Sequence, residues 1–258
     1  MAATKMHKGS ESNPFIKQLA SSDRSIRDRA LSSLRTYLSR SAAFTPLDLL
    51  KLWKGLHYCM FMSDKPRNQQ RLARDLAALT DVLVQENVLP WLQAFWRTIA
   101  REWGSIDSLR MDKYLYLVRC YVNKGFEICA KRKWEVEQYL SILEEDGGPL
   151  SIRDVKVPVG LKLHVLDIWV DELEKVDSDK DAAPVEQVMK PVRKLQKESL
   201  VKSVRQRAKE SLEDERLFEG TRWRTGEDPD ANETTGSAHE DEEDGDIVGG
   251  DDFGGFDD

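Results

Sequence analysis

Four histidines, His7, His57, His164 and His239, are the side chains best suited to proton transfer or metal binding, yet they lie far apart and form no HExxH or other ligand spacing. No GxGxxG, GxxxxGK[ST] or GxSxG string occurs, so neither a phosphate-cradling loop nor a nucleophile elbow is predicted. His57 and His164 each sit in an apolar stretch, and a core histidine bonded to backbone is favoured there over a buried general base. Cys59, Cys120 and Cys129 make no CxxC pair and interrupt apolar helical runs, the pattern of buried reduced thiols. No carboxylate cluster for a metal can be picked out on the helical part. The expectation is a non-enzymatic chain with no catalytic, cofactor or metal-binding residues, no cofactor and no small-molecule substrate.

Aromatic and basic residues leave binding as the remaining chemistry. Trp53, Trp91, Trp96, Trp103, Trp134 and Trp169 recur among Leu and Ile at helical spacing and read as core rather than as base-stacking platforms. Trp223 falls outside that pattern beside a basic segment, which makes it a candidate docking anchor. Arg24, Arg27, Arg29, Arg35 and Arg40 are placed mostly on the polar side of one helix, and Lys124, Lys131, Arg132 and Lys133 cluster at the end of another. Each group is either a solvated face or a sequence-independent contact to phosphate. The segment Lys190 to Arg207 is basic and continuous along one expected helix, which makes it the better nucleic-acid candidate. The candidate partner or RNA surface comprises Lys54, Asp64, Lys65, Arg67, Lys131, Arg132, Lys133, Lys190, Arg193, Lys194, Lys197, Lys202, Arg205, Arg207 and Trp223. Asp64 and Lys65 are placed at a helix start beside the core, where they rim a partner groove unless Asp64 is simply the N-cap, the reading favoured here.

Charge is divided unevenly along the chain. Of 258 residues, the last 33 hold fourteen acidic side chains and no Lys or Arg, leaving 39 basic against 32 acidic in residues 1–225. A net charge of −7 therefore conceals a basic body joined to a polyanion. That acidic, glycine-rich stretch cannot bury enough apolar surface to offset ordering entropy, so disorder is expected. Phe253 and Phe256 within it favour a short binding motif over pure solvation. The N-terminal string MAATKMHKGSESNPF has no apolar signal core, and no uncharged apolar stretch of about 18 residues could span a bilayer. A soluble intracellular protein without membrane contact is expected.

The elements that would position these residues read as helices. Asn13 before Pro14 marks a start; Asp23 caps a second helix with Ile26, Ala30, Leu34 and Leu38 on one stripe. Thr45 and Pro46 open a third whose apolar residues surround most of its circumference, the expected central helix. Further helices are predicted from about Arg67 to Gln85, after Pro90, over 107–133, from Val136 to Leu143 and over 159–176, with a loop or short extended segment at 147–160. Without βαβ alternation, the fold class is all-α: antiparallel helical hairpins stacked in the HEAT or armadillo manner, then a long exposed helix kinked near Pro191, then a disordered acidic tail. The expected organisation is a flexible 1–12, a repeat-like domain at 13–176, a linker at 177–185, a basic partner-binding helix at 186–225 and the tail at 226–258.

Three strings are more specific than periodicity: DRSIRDRALSSLRTYL from Asp23, WKGLHYCMFMSDKP from Trp53 to Pro66, and MDKYLYLVR from Met111 to Arg119. In this order, across residues 13–176, they resemble the ribosomal RNA-processing protein 1 family of nucleolar Nop-type factors. The resemblance implies an α-helical repeat fold without catalytic residues, a nucleolar or nuclear location and a role in 60S subunit assembly. It also implies partners among other 60S assembly factors and, within the particle, precursor rRNA. On it, Trp53, Lys54, Gly55, Asp64, Lys65 and Pro66 become structural or interface residues. Family members often end in long basic extensions, whereas this chain ends short and acidic. The rival readings are a HEAT-like adaptor unconnected with ribosomes and an acidic histone chaperone acting through the tail.

Overall fold

The computed structural model describes residues 14–218 and Trp223. The expected cap at Asn13, the flexible 1–12 and the acidic tail lie outside those residues. Eleven α-helices are described: α1 (Pro14–Leu19), α2 (Arg24–Leu38), α3 (Pro46–Phe61), α4 (Pro66–Ala78), α5 (Gln85–Glu102), α6 (Ser108–Lys131), α7 (Glu137–Glu144), α8 (Val159–Val176), α9 (Val185–Val188), α10 (Lys190–Glu198) and α11 (Lys202–Leu212). Among the described residues there is no strand, as the all-α reading requires.

The chain's own start signals are used where they were read. The Asp23 carboxylate accepts from the Ser25 N–H at 2.7 Å, and the Thr45 hydroxyl accepts from the Asp48 N–H at 3.2 Å with Pro46 at the first helical position. Asp107 does the same for α6, accepting from the Arg110 N–H at 3.1 Å. Two boundaries differ from expectation. The helix expected to reach Gln85 ends at Ala78 and passes into a 3-10 turn over Leu79–Val82, while α5 starts five residues before Pro90 and runs through it. Pro90 leaves the Glu86 carbonyl without its intrahelical donor, a loss tolerable on an outward face.

The helices pack in two layers. On one side α1, α3, α5 and α7 each lie on the next; on the other, α4 packs on α6, α6 on α8, and α8 on α11. Helices adjacent in sequence pair across the layers as hairpins at α1–α2, α3–α4 and α10–α11, which is the stacked-hairpin architecture of a helical repeat. Helix α3 is central, meeting α1, α4, α5 and α6 and burying Leu49, Leu52, Trp53, Leu56, Cys59 and Met60.

An aromatic knot joins the layers. The Trp53 ring lies 4.8 Å from Trp91, 4.9 Å from Phe95 and 5.1 Å from Tyr121, and Tyr121 stacks on Phe95 at 3.8 Å. The Tyr121 hydroxyl donates to the Leu76 carbonyl at the end of α4 (2.8 Å) and accepts the Trp91 N–H at 3.3 Å. Five of the six tryptophans read as core are buried and Trp134 is partly so.

The segment expected as one long exposed helix is instead α9, α10 and α11, folded back on the stack. Val185, Val188, Met189, Val192, Leu195, Val204 and Ala208 are buried. Polarity follows α8: Arg207 pairs with Asp167, and Arg216 reaches Asp171 at 3.0 Å and Glu174 at 2.6 Å. The apolar stripe and these carboxylates give the basic segment a partner within its own chain. Trp223 belongs to the same attachment, donating its indole N–H to the buried Asp177 at 2.7 Å.

Helices α6 and α7 touch through a glycine. A Cβ on Gly125 would stand 2.0 Å from the buried Tyr139 ring. Gly125→Ala is therefore expected to lower stability by about 1–3 kcal/mol despite alanine's better helix propensity, read as a lower urea midpoint. An unchanged midpoint would mean that α7 shifts without cost.

Candidate interaction groove

The second layer is not evenly closed. Helices α4, α6, α8 and α11 pack successively, but α2 approaches this layer at the 3-10 turn of Leu79–Val82 rather than along α4. Between α2 and the first part of α4 lies a groove of about 360 Å³. Its floor is apolar, formed by Leu31, Cys59, Met62 and Leu72, and its rim is charged, with Arg24, Lys65 and Arg71 facing Asp28, Asp64 and Asp75.

Two of the family-like strings line this groove, and the third braces the turn at its rim. The first supplies the α2 wall. The second supplies Cys59, Met62 and the turn from Ser63 to Lys65. The third supplies Lys113, whose buried ammonium donates to the Phe61 carbonyl at 2.7 Å and to the Ser63 carbonyl at 2.8 Å. Burial, with Arg110 adding repulsion, depresses the Lys113 pKa to about 8. Gln69 completes the turn, donating from Nε2 to the Ser63 and Asp64 carbonyls at 2.9 and 2.8 Å. The turn that rims the groove is thus held at three carbonyls by two side-chain donors, one of which, Lys113, comes from a helix some 50 residues on.

Asp64 is not the N-cap of α4. That position is Lys65, which has no side-chain capping bond, so Asp64 is left exposed on the groove rim. Arg27 also departs from expectation: it is buried, donating to the Ser21 and Ser22 carbonyls at 2.9 and 2.8 Å rather than lying on the polar face. Arg27, and Lys113, to which the sequence reading assigned no role, both sit on apolar stripes. Arg27 is in step with Ala30 and Leu34, and Lys113 with Leu117 and Tyr121, a register that marks them as inward. Asn87 was overlooked as well; buried in α5, it accepts from the Phe44 N–H at 3.0 Å and donates to the Ala42 carbonyl at 3.1 Å, tying the α2–α3 connection down.

Of the other candidate residues, none but Asp64 and Lys65 lines this groove. Lys54 and Arg67 are exposed on α3 and α4. Lys131 ends α6 and pairs with Asp81 at 3.2 Å, and Arg132 and Lys133 form the turn after it, where Lys133 and Trp134 take left-handed backbone (φ 53° and 60°). On α10, Arg193 and Lys194 pair with Glu186 (2.6 Å) and Glu144 (2.5 Å). Arg205 donates to the Ser199 carbonyl at 2.7 Å, and Lys190, Lys197 and Lys202 are exposed. Most of the expected nucleic-acid stripe is therefore engaged within the chain. The described residues contain no group of three His, Cys, Asp or Glu that could hold a metal, and no helix among them is long and apolar enough to cross a membrane.

His57 lies in α3, two residues before Cys59 of the groove floor. Its ring stacks on Tyr114 at 4.9 Å, the Tyr114 hydroxyl donates to the His57 carbonyl at 2.9 Å, and Nδ1 is buried with no hydrogen-bond partner. Burial lowers its pKa to about 4. His164, with Nε2 2.9 Å from the Leu115 carbonyl, is shifted in the same direction, chiefly by burial. His57 is a core histidine and His164 a half-buried one bonded to backbone.

A histidine that is neutral when folded and protonated when unfolded makes stability complete above its unfolded pKa and progressively lost as pH falls. For His57 that window runs from 6.5 down to about 4, and the full loss is on the order of 3 kcal/mol. Urea midpoints measured between pH 7.5 and 4.5 should fall more steeply for the parent chain than for His57→Gln. Equal slopes would exclude His57 as a source of acid sensitivity.

Comparison with known proteins gives the chain its relatives. The family described as "Nucleolar protein, Nop52" matches residues 10–248. Human ribosomal RNA processing protein 1 homolog B is 33% identical over 218 residues, covering 79% of this chain and 28% of that protein. The mouse homolog A is 39% identical over 168 residues, covering 63% of this chain and 34% of that protein. The Dictyostelium discoideum homolog is 29% identical over 184 residues, covering 63% and 36%. The chain thus spans roughly a quarter to two fifths of the length of such relatives.

Proposed function

The chain belongs to the Nop52 family, and we propose on that premise that it serves ribosomal RNA processing as a non-catalytic scaffold of large-subunit precursor particles in the nucleolus. The names of its relatives support the rRNA-processing part of this reading. The scaffold part rests on one observation: two of the family-like strings line the groove between α2 and α4 and the third braces its turn, with the polar side chains of Arg27 and Lys113 bonded to backbone carbonyls that shape it. Side chains spent on fixing a surface make it rigid before a partner arrives, which removes an ordering cost from binding. Other assembly factors are the expected partners, with the groove as their point of attachment. Exposed Lys54, Arg67, Lys133, Lys190, Lys197 and Lys202 add salt-dependent attraction to precursor rRNA in the same particle.

The half-buried Asn68 lines the groove from α4, so Asn68→Trp should fill it while leaving the core intact. In cells depleted of the endogenous protein, the parent chain is expected to co-sediment with large-subunit precursors on sucrose gradients and to restore rRNA processing. The Asn68→Trp chain should keep its melting temperature, sediment near the top and leave precursors accumulated. Normal rRNA after depletion of the parent would overturn the assembly reading. Full rescue by Asn68→Trp would remove the groove from it.

A further inference from the structure

The first layer has its own opening, around α7. This helix has 8 residues, beside 18 in α5 and 9 in α10, and a furrow runs along each of its flanks. One, of about 410 Å³, lies between α5 and α7, and the other, of about 540 Å³, lies between α7 and the start of α10. Glu137, Ser141 and Glu145 line both, so a single ridge separates them. The furrow floors are apolar: Leu89, Pro90 and Ile142 on the α5 side, and Val136, Leu140 and Pro191 on the α10 side. Pro90 and Pro191 present ring carbons and no N–H there.

Charge distinguishes these two furrows from the opening beside them, which shares Leu89, Pro90 and Gln138 but is lined by Lys131, Arg132 and Lys133 together with Glu86 and Glu135. Across both furrows the ionisable side chains are Glu137, Glu144 and Glu145 against Lys190 alone. The sequence up to residue 225 has a basic excess, yet α7 contributes none of it. Glu137 is exposed, Glu145 accepts from the neutral Gln93 amide at 2.7 Å, and Glu144 is paired with Lys194 at 2.5 Å. Among the described residues, Glu137 and Glu145 therefore face solvent beside apolar floors without an ion pair, with Lys190 the one cation lining the furrows. Phosphate would be repelled here, whereas apolar side chains flanked by Lys or Arg would meet both the floor and the rim.

We propose that the furrows flanking α7 are a docking surface for a basic amphipathic segment of a partner protein, whose apolar side chains enter the furrows while its cations meet Glu137 and Glu145. This surface lies in the opposite layer from the α2–α4 groove, so its test does not depend on that groove.

The probe is a synthetic helical peptide with Leu spaced at three and four residues among Lys and Arg, carrying a photo-crosslinker beside its central Leu. It is offered to the full chain, with a Leu→Ser twin, a charge-inverted twin and a uridine oligonucleotide as competitors. Because residues 226–258 hold fourteen carboxylates that attract any cation, the readout is both affinity and the position of the crosslink. The expected result is crosslinking to segments 89–93, 136–145 and 187–191, and affinity reduced about tenfold by Glu137→Lys combined with Glu145→Lys. Ser141→Arg, which places a bulky cation on the ridge, should weaken binding similarly. All three positions are exposed, so melting temperatures should match the parent's. Crosslinks confined to residues 226–258, affinity unaffected by either variant, or competition by the oligonucleotide equal to that of the Leu peptide would each overturn the proposal.

Discussion

The stack depends on one contact above the others, the meeting of Trp53, Trp91, Phe95 and Tyr121 where α3, α5 and α6 cross. Rings of this size bury more surface than any aliphatic side chain, and their tilted and stacked geometry adds directional preference to that burial. Tyr121 then converts a packing contact into a positional one. Its hydroxyl fixes the last turn of α4 through the Leu76 carbonyl, so four helices from both layers share one reference point. Neighbouring contacts extend from it: Phe126 meets Trp169 of α8 at 4.8 Å, and Tyr114 meets His57.

Much of this was visible in the sequence because it is local. The apolar stripes of α2, α6 and α8, the caps at Asp23 and Thr45, and the inward tryptophans all follow from residue type and spacing within a few turns. Pro90 misled, since a proline marks a helix start only when its missing N–H would otherwise have no partner, and in α5 an outward face absorbs the loss. Arg27 misled because charge was weighed before register, and Lys113 was not singled out at all. Their positions on the stripe were legible; the backbone carbonyls that make burial tolerable were not, because those belong to other segments of the chain.

The same limit governs the C-terminal helices and the groove. Basic composition after Val185 reads as an unsatisfied surface until α8's carboxylates, some 40 residues earlier, are seen opposite it. A polar helix with a narrow apolar stripe has no way of announcing whether its cover is in the same molecule. The groove was half legible: Asp64 and Lys65 were placed at a helix start beside the core, but the opening itself arises from α2 and α4 failing to close on each other, which no property of either helix states. Nor does an 8-residue helix between longer neighbours say that its flanks remain uncovered.

Cys59 gives the groove floor a chemical character of its own. Sulfur reacts as thiolate, and burial raises this thiol to about 11, so at neutral pH about one molecule in 10,000 carries the reactive form. The sulfur is therefore a soft, polarisable packing atom rather than a nucleophile. Its contribution to the groove is one of shape and dispersion, not of bond formation.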